Sequence, residues 1–165
     1  MAFLIESIVL CLLFTVPLAV MSQNPLAGIH NYPPAIIRRV RELGLVEDTQ
    51  LPGSRAVYRK KIAAALVVAV LCTLVVWFVN GARNFWQGFG IMYLLWTVVN
   101  CYDALVIDCI WFCHDKRFRI PGTEDMEADY LDYWFHIKAS LRGELIGLPV
   151  ALLVGIFTAL LTAIE

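Results

Sequence analysis

The chain has 165 residues, 60% of them apolar and 16% charged, with a mean hydropathy of +0.71. Soluble domains are about half apolar and about a quarter charged, so this composition excludes an ordinary soluble fold. The formal net charge of −1 hides an asymmetry: twelve of the thirteen Lys and Arg residues lie on one side of four apolar segments.

The first segment, Phe3 to Met21, is long enough for a membrane span. A cleaved signal peptide ending near Leu18–Ser22 is the competing reading, but the opening Met-Ala-Phe-Leu-Ile-Glu lacks a basic leader. A loop follows with Arg38, Arg39, Arg41, Arg55, Arg59, Lys60 and Lys61. Within it, Pro34 suits the first turn of a helix over 35–43. Ile36, Ile37, Val40 and Leu43 share one face, and Gly44 supplies a stop. A basic amphipathic helix beside a membrane is expected to lie in the interface and attract anionic lipid.

The second span covers Ile62 to Val79, and Arg83 alone is basic on the far side. The third, Phe85 to Cys113, runs about 29 residues and must tilt or project beyond the lipid. Lys116, Arg117, Arg119, Lys138 and Arg142 follow it. In this second loop, Ile120-Pro121-Gly122 makes a turn and Thr123 is placed to cap a helix over 124–138. Met126, Tyr130 and Trp134 recur along it, which suggests a second interfacial helix feeding the last span. That span, Gly143 to Ile164, has Gly143, Gly147, Ala151, Gly155, Ala159 and Ala163 at every fourth position. Small residues so spaced let another helix approach closely, either in the same chain or in a second copy. Ala65, Ala69 and Thr73 repeat the device more weakly, and Pro149 is expected to bend the last helix.

The fold class is therefore an all-α integral membrane protein: four transmembrane helices, with short interfacial helices in two loops. The positive-inside rule puts both termini outside and both long loops in the cytoplasm, in a cell membrane of the bacterial inner-membrane type. The partners to expect are the bilayer, anionic lipid at the cytoplasmic face, and a second copy or a larger membrane complex. No nucleic-acid partner is expected, because topology accounts for the basic residues.

Ionisable groups inside a span are costly and therefore functional candidates. Asp103 and Asp108 lie in the third span with Asn100 between them in angle, and Tyr93, Trp96 and Thr97 extend that face. Arg142 and Glu144 flank Gly143, and Glu6 stands apart near the outer end of the first span. A ligand site of Asn100, Asp103, Asp108, Arg142 and Glu144 follows, with Arg142 expected to pair with Asp108. Asp103 would then be the deeper, unpartnered acid, suited to a proton or cation.

Among the cysteines, Cys11, Cys72, Cys101 and Cys109 lie within spans and Cys113 ends one, so no disulfide framework is available outside the cell. Thiolates suit zinc, and a weaker metal reading joins Cys109, Cys113 and His114, with Asp108, Asp115 and His136 nearby. His114 would point about 100° from Cys113, which counts against it. No cofactor is expected, and no phosphate loop, nucleophile elbow or His-Glu-x-x-His occurs.

Two functional expectations result. One is a small oligomeric transporter or channel-like unit, or its accessory subunit, with Asp103 as the titrating group. The other is an enzyme acting on a lipid at the cytoplasmic leaflet, with Asp103, Asp108, His114 and His136 as acid–base groups and Ser140 beside His136. A structural subunit of a larger complex is a third.

Overall fold

A computed structural model describes residues 1–47 and 55–165, and these are helical, with no strand among the described residues. Helix α1 is Ala2–Met21; a 3₁₀ turn over Pro25–Asn31 leads to α2, Pro34–Glu42. Helix α3 is Arg55–Phe78, α4 is Phe85–Tyr102, α5 is the short Glu127–Tyr130, and α6 is Tyr133–Ile164. Asn84 starts α4 by accepting from the Gln87 amide at 3.0 Å, a side-chain N-cap.

Among the described residues, three helices are long and apolar enough to cross a membrane: Ala2–Met21, Phe85–Phe112 and Glu127–Ile164. The apolar part of α3, Ile62–Phe78, is shorter. The helices pack α4 on α6, α3 on both, and α1 on α4. Ala69, Val76, Met92, Val150, Ala151 and Val154 form the buried seam of that bundle. Residues facing outward along it, such as Leu66, Leu94, Leu145 and Ile156, are large and apolar, as lipid contact requires.

The four-residue ladder of α6 is occupied by α4. A Cβ on Gly147 would collide with Trp96 Nε1, and one on Gly155 would come within 2.9 Å of the Phe85 ring. On α4, Gly88 returns the fit: a Cβ there would come within 2.6 Å of Thr158 Oγ1. Close backbone approach thus serves an internal contact. The α6 helix continues through Pro149.

Beyond Tyr102 the helix continuing from α4 changes winding. Residues Asp103–Phe112 are π-helical, and the Cys113 amide reaches back five residues to the Asp108 carbonyl. Such winding takes about 4.4 residues per turn, so Asp103 and Asp108 stand about 50° apart around the axis. An α-helix would set them about 140° apart.

The two long loops fold together into a cap at one end of the bundle. Tyr32, Ile36, Val40, Phe112, Phe118, Ile120 and Tyr130 are all at most 1% exposed and form one core with Leu18, Met21 and Ile107 from the helix ends. Tyr32 donates to the Phe118 carbonyl at 2.9 Å, and its ring meets Phe112 edge-on at 4.8 Å. Burial, foremost, raises the Tyr32 phenol above its usual pKa. Arg119 ties the layers: it donates to the Cys113 carbonyl at 2.7 Å, pairs with Glu127 at 2.9 Å, and lies over the Tyr130 ring.

The helix expected over 35–43 forms as α2, whereas the one expected over 124–138 is interrupted. The apolar face of α2 is spent on protein, with Ile36 and Val40 fully buried, while Arg39 pairs with Asp125 at 3.1 Å. A continuous helix over 124–138 does not form. The Tyr130 hydroxyl accepts from the Ile120 amide and pairs with Thr123, which turns the chain inward. Asp132 then starts α6 by accepting from the Phe135 amide at 2.9 Å.

Candidate functional site

The polar residues of the third span and of α6 meet in two clusters along the α4–α6 contact. The outer cluster centres on Glu144. Thr97 Oγ1 donates to one carboxylate oxygen at 2.5 Å and Asn100 Nδ2 to the other at 2.9 Å. Asn100 Nδ2 also donates to the Ser140 carbonyl at 3.0 Å, and Trp96 Nε1 to the Gly143 carbonyl at 3.1 Å. The Tyr93 hydroxyl faces the same carboxylate. Gly143 is needed beneath it, since a Cβ there would come within 2.9 Å of Asn100 Oδ1.

The inner cluster joins the π-helical segment to the start of α6. His136 Nδ1 lies 3.2 Å from Asp108 Oδ2, with the His136 side chain 3% exposed. A carboxylate only accepts, so Nδ1 carries the hydrogen and Nε2 presents its lone pair in the neutral ring. That Nε2 is buried and has no hydrogen-bond partner among the described residues. Phe112 and Phe135 close on the imidazole edge-on, at 5.2 and 5.1 Å. Asp103 stands within electrostatic reach of both Asp108 and His136.

Of the residues singled out from the sequence, Asn100 and Glu144 come together, and Asp103, Asp108 and His136 come together. Arg142 is exposed and does not pair with Asp108, whose charge partner is His136. The reason is angular: His136, Ser140 and Glu144 share one face of α6, whereas Arg142 is turned about 160° from Glu144 by two α-helical steps. His114 is exposed and its Nε2 pairs with the Tyr133 hydroxyl at 2.9 Å, away from His136. Cys113 is fully buried in the cap core and Cys109 is half-buried, and no group of three His, Cys, Asp or Glu able to hold a metal forms among the described residues. Asp115 belongs to the cap, accepting from Trp111 Nε1 and from Arg117.

Glu6, at the opposite end, accepts from Asn80 Nδ2 at 2.8 Å through one oxygen, while its second oxygen is buried and unpartnered. Sequence reasoning places Glu144 at the edge of the membrane and Asp103 deeper. Counted from the start of α4 at 1.5 Å per residue, Thr97 and Asn100 lie about 18 to 22 Å in, and Asp103 about 27 Å. Glu144 is thus the acid nearer the middle of the bundle. The antiparallel register that reveals this has no signature in either helix alone.

No protein family, curated protein or solved structure matches this chain. Function therefore rests on the geometry.

What the geometry offers is acid–base chemistry without a metal cluster. Asp108 orients an imidazole whose free nitrogen is held in an apolar pocket.

Proposed function

We propose that this chain is a small proton-handling unit of a membrane transport system, acting as the transporter itself. The observation that carries this is the buried, unpartnered Nε2 of His136, oriented by Asp108 and faced by Asp103. Proton relays through membranes use ionisable groups at such positions. Asp103 is the acid that passes the proton on, and Asp108 holds the imidazole in register.

The unit has four spans, with α3 as the fourth. Supporting this, Glu6 near the start of α1 bonds Asn80 just after α3, so α3 reaches the same end of the bundle that α1 does. Arg83 pairs with Glu165 at 3.8 Å, which brings the chain's last residue to that end too. With the basic residues in the two long loops, the positive-inside rule makes this the outer end and the cap cytoplasmic. Exposed basic residues there, among them Arg38, Lys60 and Lys116, attract anionic lipid. Self-association, where it occurs, uses a face other than the occupied glycine ladder.

Proton influx into liposomes containing the purified protein, driven by an imposed potential and read by an internal pH dye, tests the reading. The wild type should admit protons and Asp103→Asn should not. No influx in the wild type, or equal influx in the variant, overturns it.

One observation favours the lipid-enzyme alternative. An aspartate on Nδ1 with a free Nε2 is also the arrangement of a general base. Against it, Nε2 is shut away from the surface, and Ser140 makes no hydrogen bond with it. Loss of lipid turnover in His114→Gln would support the enzyme reading, whereas proton transport does not use His114.

A further inference from the structure

We propose that Glu144 is a second proton-binding site, deeper in the bilayer than the Asp103–Asp108–His136 group and fed by it. This rests on the proton-handling reading and extends it. The chemistry of the ligand is the proton alone: an O–H bond forms on a Glu144 oxygen as an N–H or O–H bond breaks at the inner cluster, and nothing is oxidised or reduced.

Three features of the site argue for it. First, Glu144 lies level with residues about 18 to 22 Å from the start of α4, a depth within the ~30 Å core of a bilayer that α4 would enter at Phe85. Second, its hydrogen-bond donors are neutral: Thr97 Oγ1 on one oxygen and Asn100 Nδ2 on the other, with the Tyr93 hydroxyl beside them. Among the described residues no lysine or arginine pairs with it, and Arg142, two residues away, is exposed. Taking up a proton at this carboxylate breaks no ion pair among those residues. Third, the two clusters are close along α6. His136, Ser140 and Glu144 follow one another on one face of α6, about 6 Å per step, and Asn100 bonds both the Ser140 carbonyl and Glu144. Toward the outer end the polar face stops, because Phe85, Phe89 and Tyr93 stack along α4 at 6.0 and 5.8 Å.

Proton influx into liposomes is compared for the wild type, Glu144→Gln, Glu144→Asp and Asp103→Asn. Gln keeps groups able to meet Thr97 and Asn100, so Glu144→Gln should fold with wild-type thermal stability in detergent yet lose at least about tenfold in influx. Glu144→Asp, which restores the carboxyl group, should recover part of the rate, an effect that a merely structural role would not produce. Wild-type influx in Glu144→Gln, alongside loss in Asp103→Asn, overturns the second site and leaves the inner one standing. No influx in the wild type overturns both. If Glu144→Gln fails to fold, Glu144→Asp decides: a folded variant with no influx at all marks the residue as packing, and a folded, conducting one upholds the site.

Discussion

Gly147 leaves the Trp96 indole just enough room to lie against α6: a Cβ at 147 would overlap three indole atoms, the farthest of them 2.7 Å away. The same indole donates to the Gly143 carbonyl at 3.1 Å, so one glycine supplies the space and the other the acceptor. This pairing holds the two polar clusters in register across the α4–α6 contact.

Gly147→Ala should therefore destabilise the protein by about 1–3 kcal/mol, the usual range for overpacking a tight contact. Gly90, on the same helix as Trp96, faces open space, and a methyl group added there would meet nothing within 4 Å. Gly90→Ala should stabilise by about 0.5–1 kcal/mol through reduced backbone freedom. Unfolding midpoints of the two variants in one detergent check both, and the opposite signs are the test.

Arg119 is the pin of the cap. Its side chain is 13% exposed, bonds the Cys113 carbonyl and Glu127, and covers the Tyr130 ring. Arg119→Met keeps the aliphatic packing but leaves a buried carbonyl without its donor, at a cost of about 2–3 kcal/mol. Hydrogen exchange should rise across 114–132 and remain unchanged in α3, if the cap opens as a unit.

The carboxylates of the cap set its acid limit. Arg117's guanidinium, then its backbone amide, holds Asp115 below the usual range; Arg119 lowers Glu127, and the Gly122 amide lowers Glu124. Depressed carboxylates contribute stability above their unfolded values and lose it as pH falls through the folded ones. Exchange protection in the cap should thus be flat from pH 8 to 5 and decline below about pH 4. The combined variant Asp115→Asn, Glu127→Gln should show a smaller acid decline, and an equal one would contradict the assignment.

The apolar windows 3–21, 85–113 and 143–164 were legible because periodicity and length suffice for membrane helices, and each is helical. The ladder announced a close helix contact, and α4 fills its Gly143, Gly147 and Gly155 steps, while Ala163 is exposed. Three features were not legible. The π-helical turn over Asp103–Phe112 carries no composition signal, yet it swings Asp108 toward His136. The α2 face that reads as lipid-facing is claimed by Tyr32, Phe112 and Phe118, a long-range core that no local pattern encodes. By charge Arg142 is the natural partner for Asp108, but the helix face it occupies forbids the contact.

His114 separates the transport and enzyme readings. It is exposed and bonded to Tyr133 rather than to the inner cluster. His114→Gln should leave proton influx within about twofold of wild type, the change expected of a surface substitution of about 0.4 kcal/mol or less. A large loss would move the working imidazole to the cap surface.

His136→Gln tests the central claim most directly, because the amide can still donate to Asp108 while the imidazole Nε2 is gone. The measurement is the initial rate of potential-driven proton influx into liposomes, with thermal stability recorded in parallel. The account predicts a rate at least about tenfold below wild type in a protein that still folds. A folded His136→Gln protein admitting protons at the wild-type rate would contradict it.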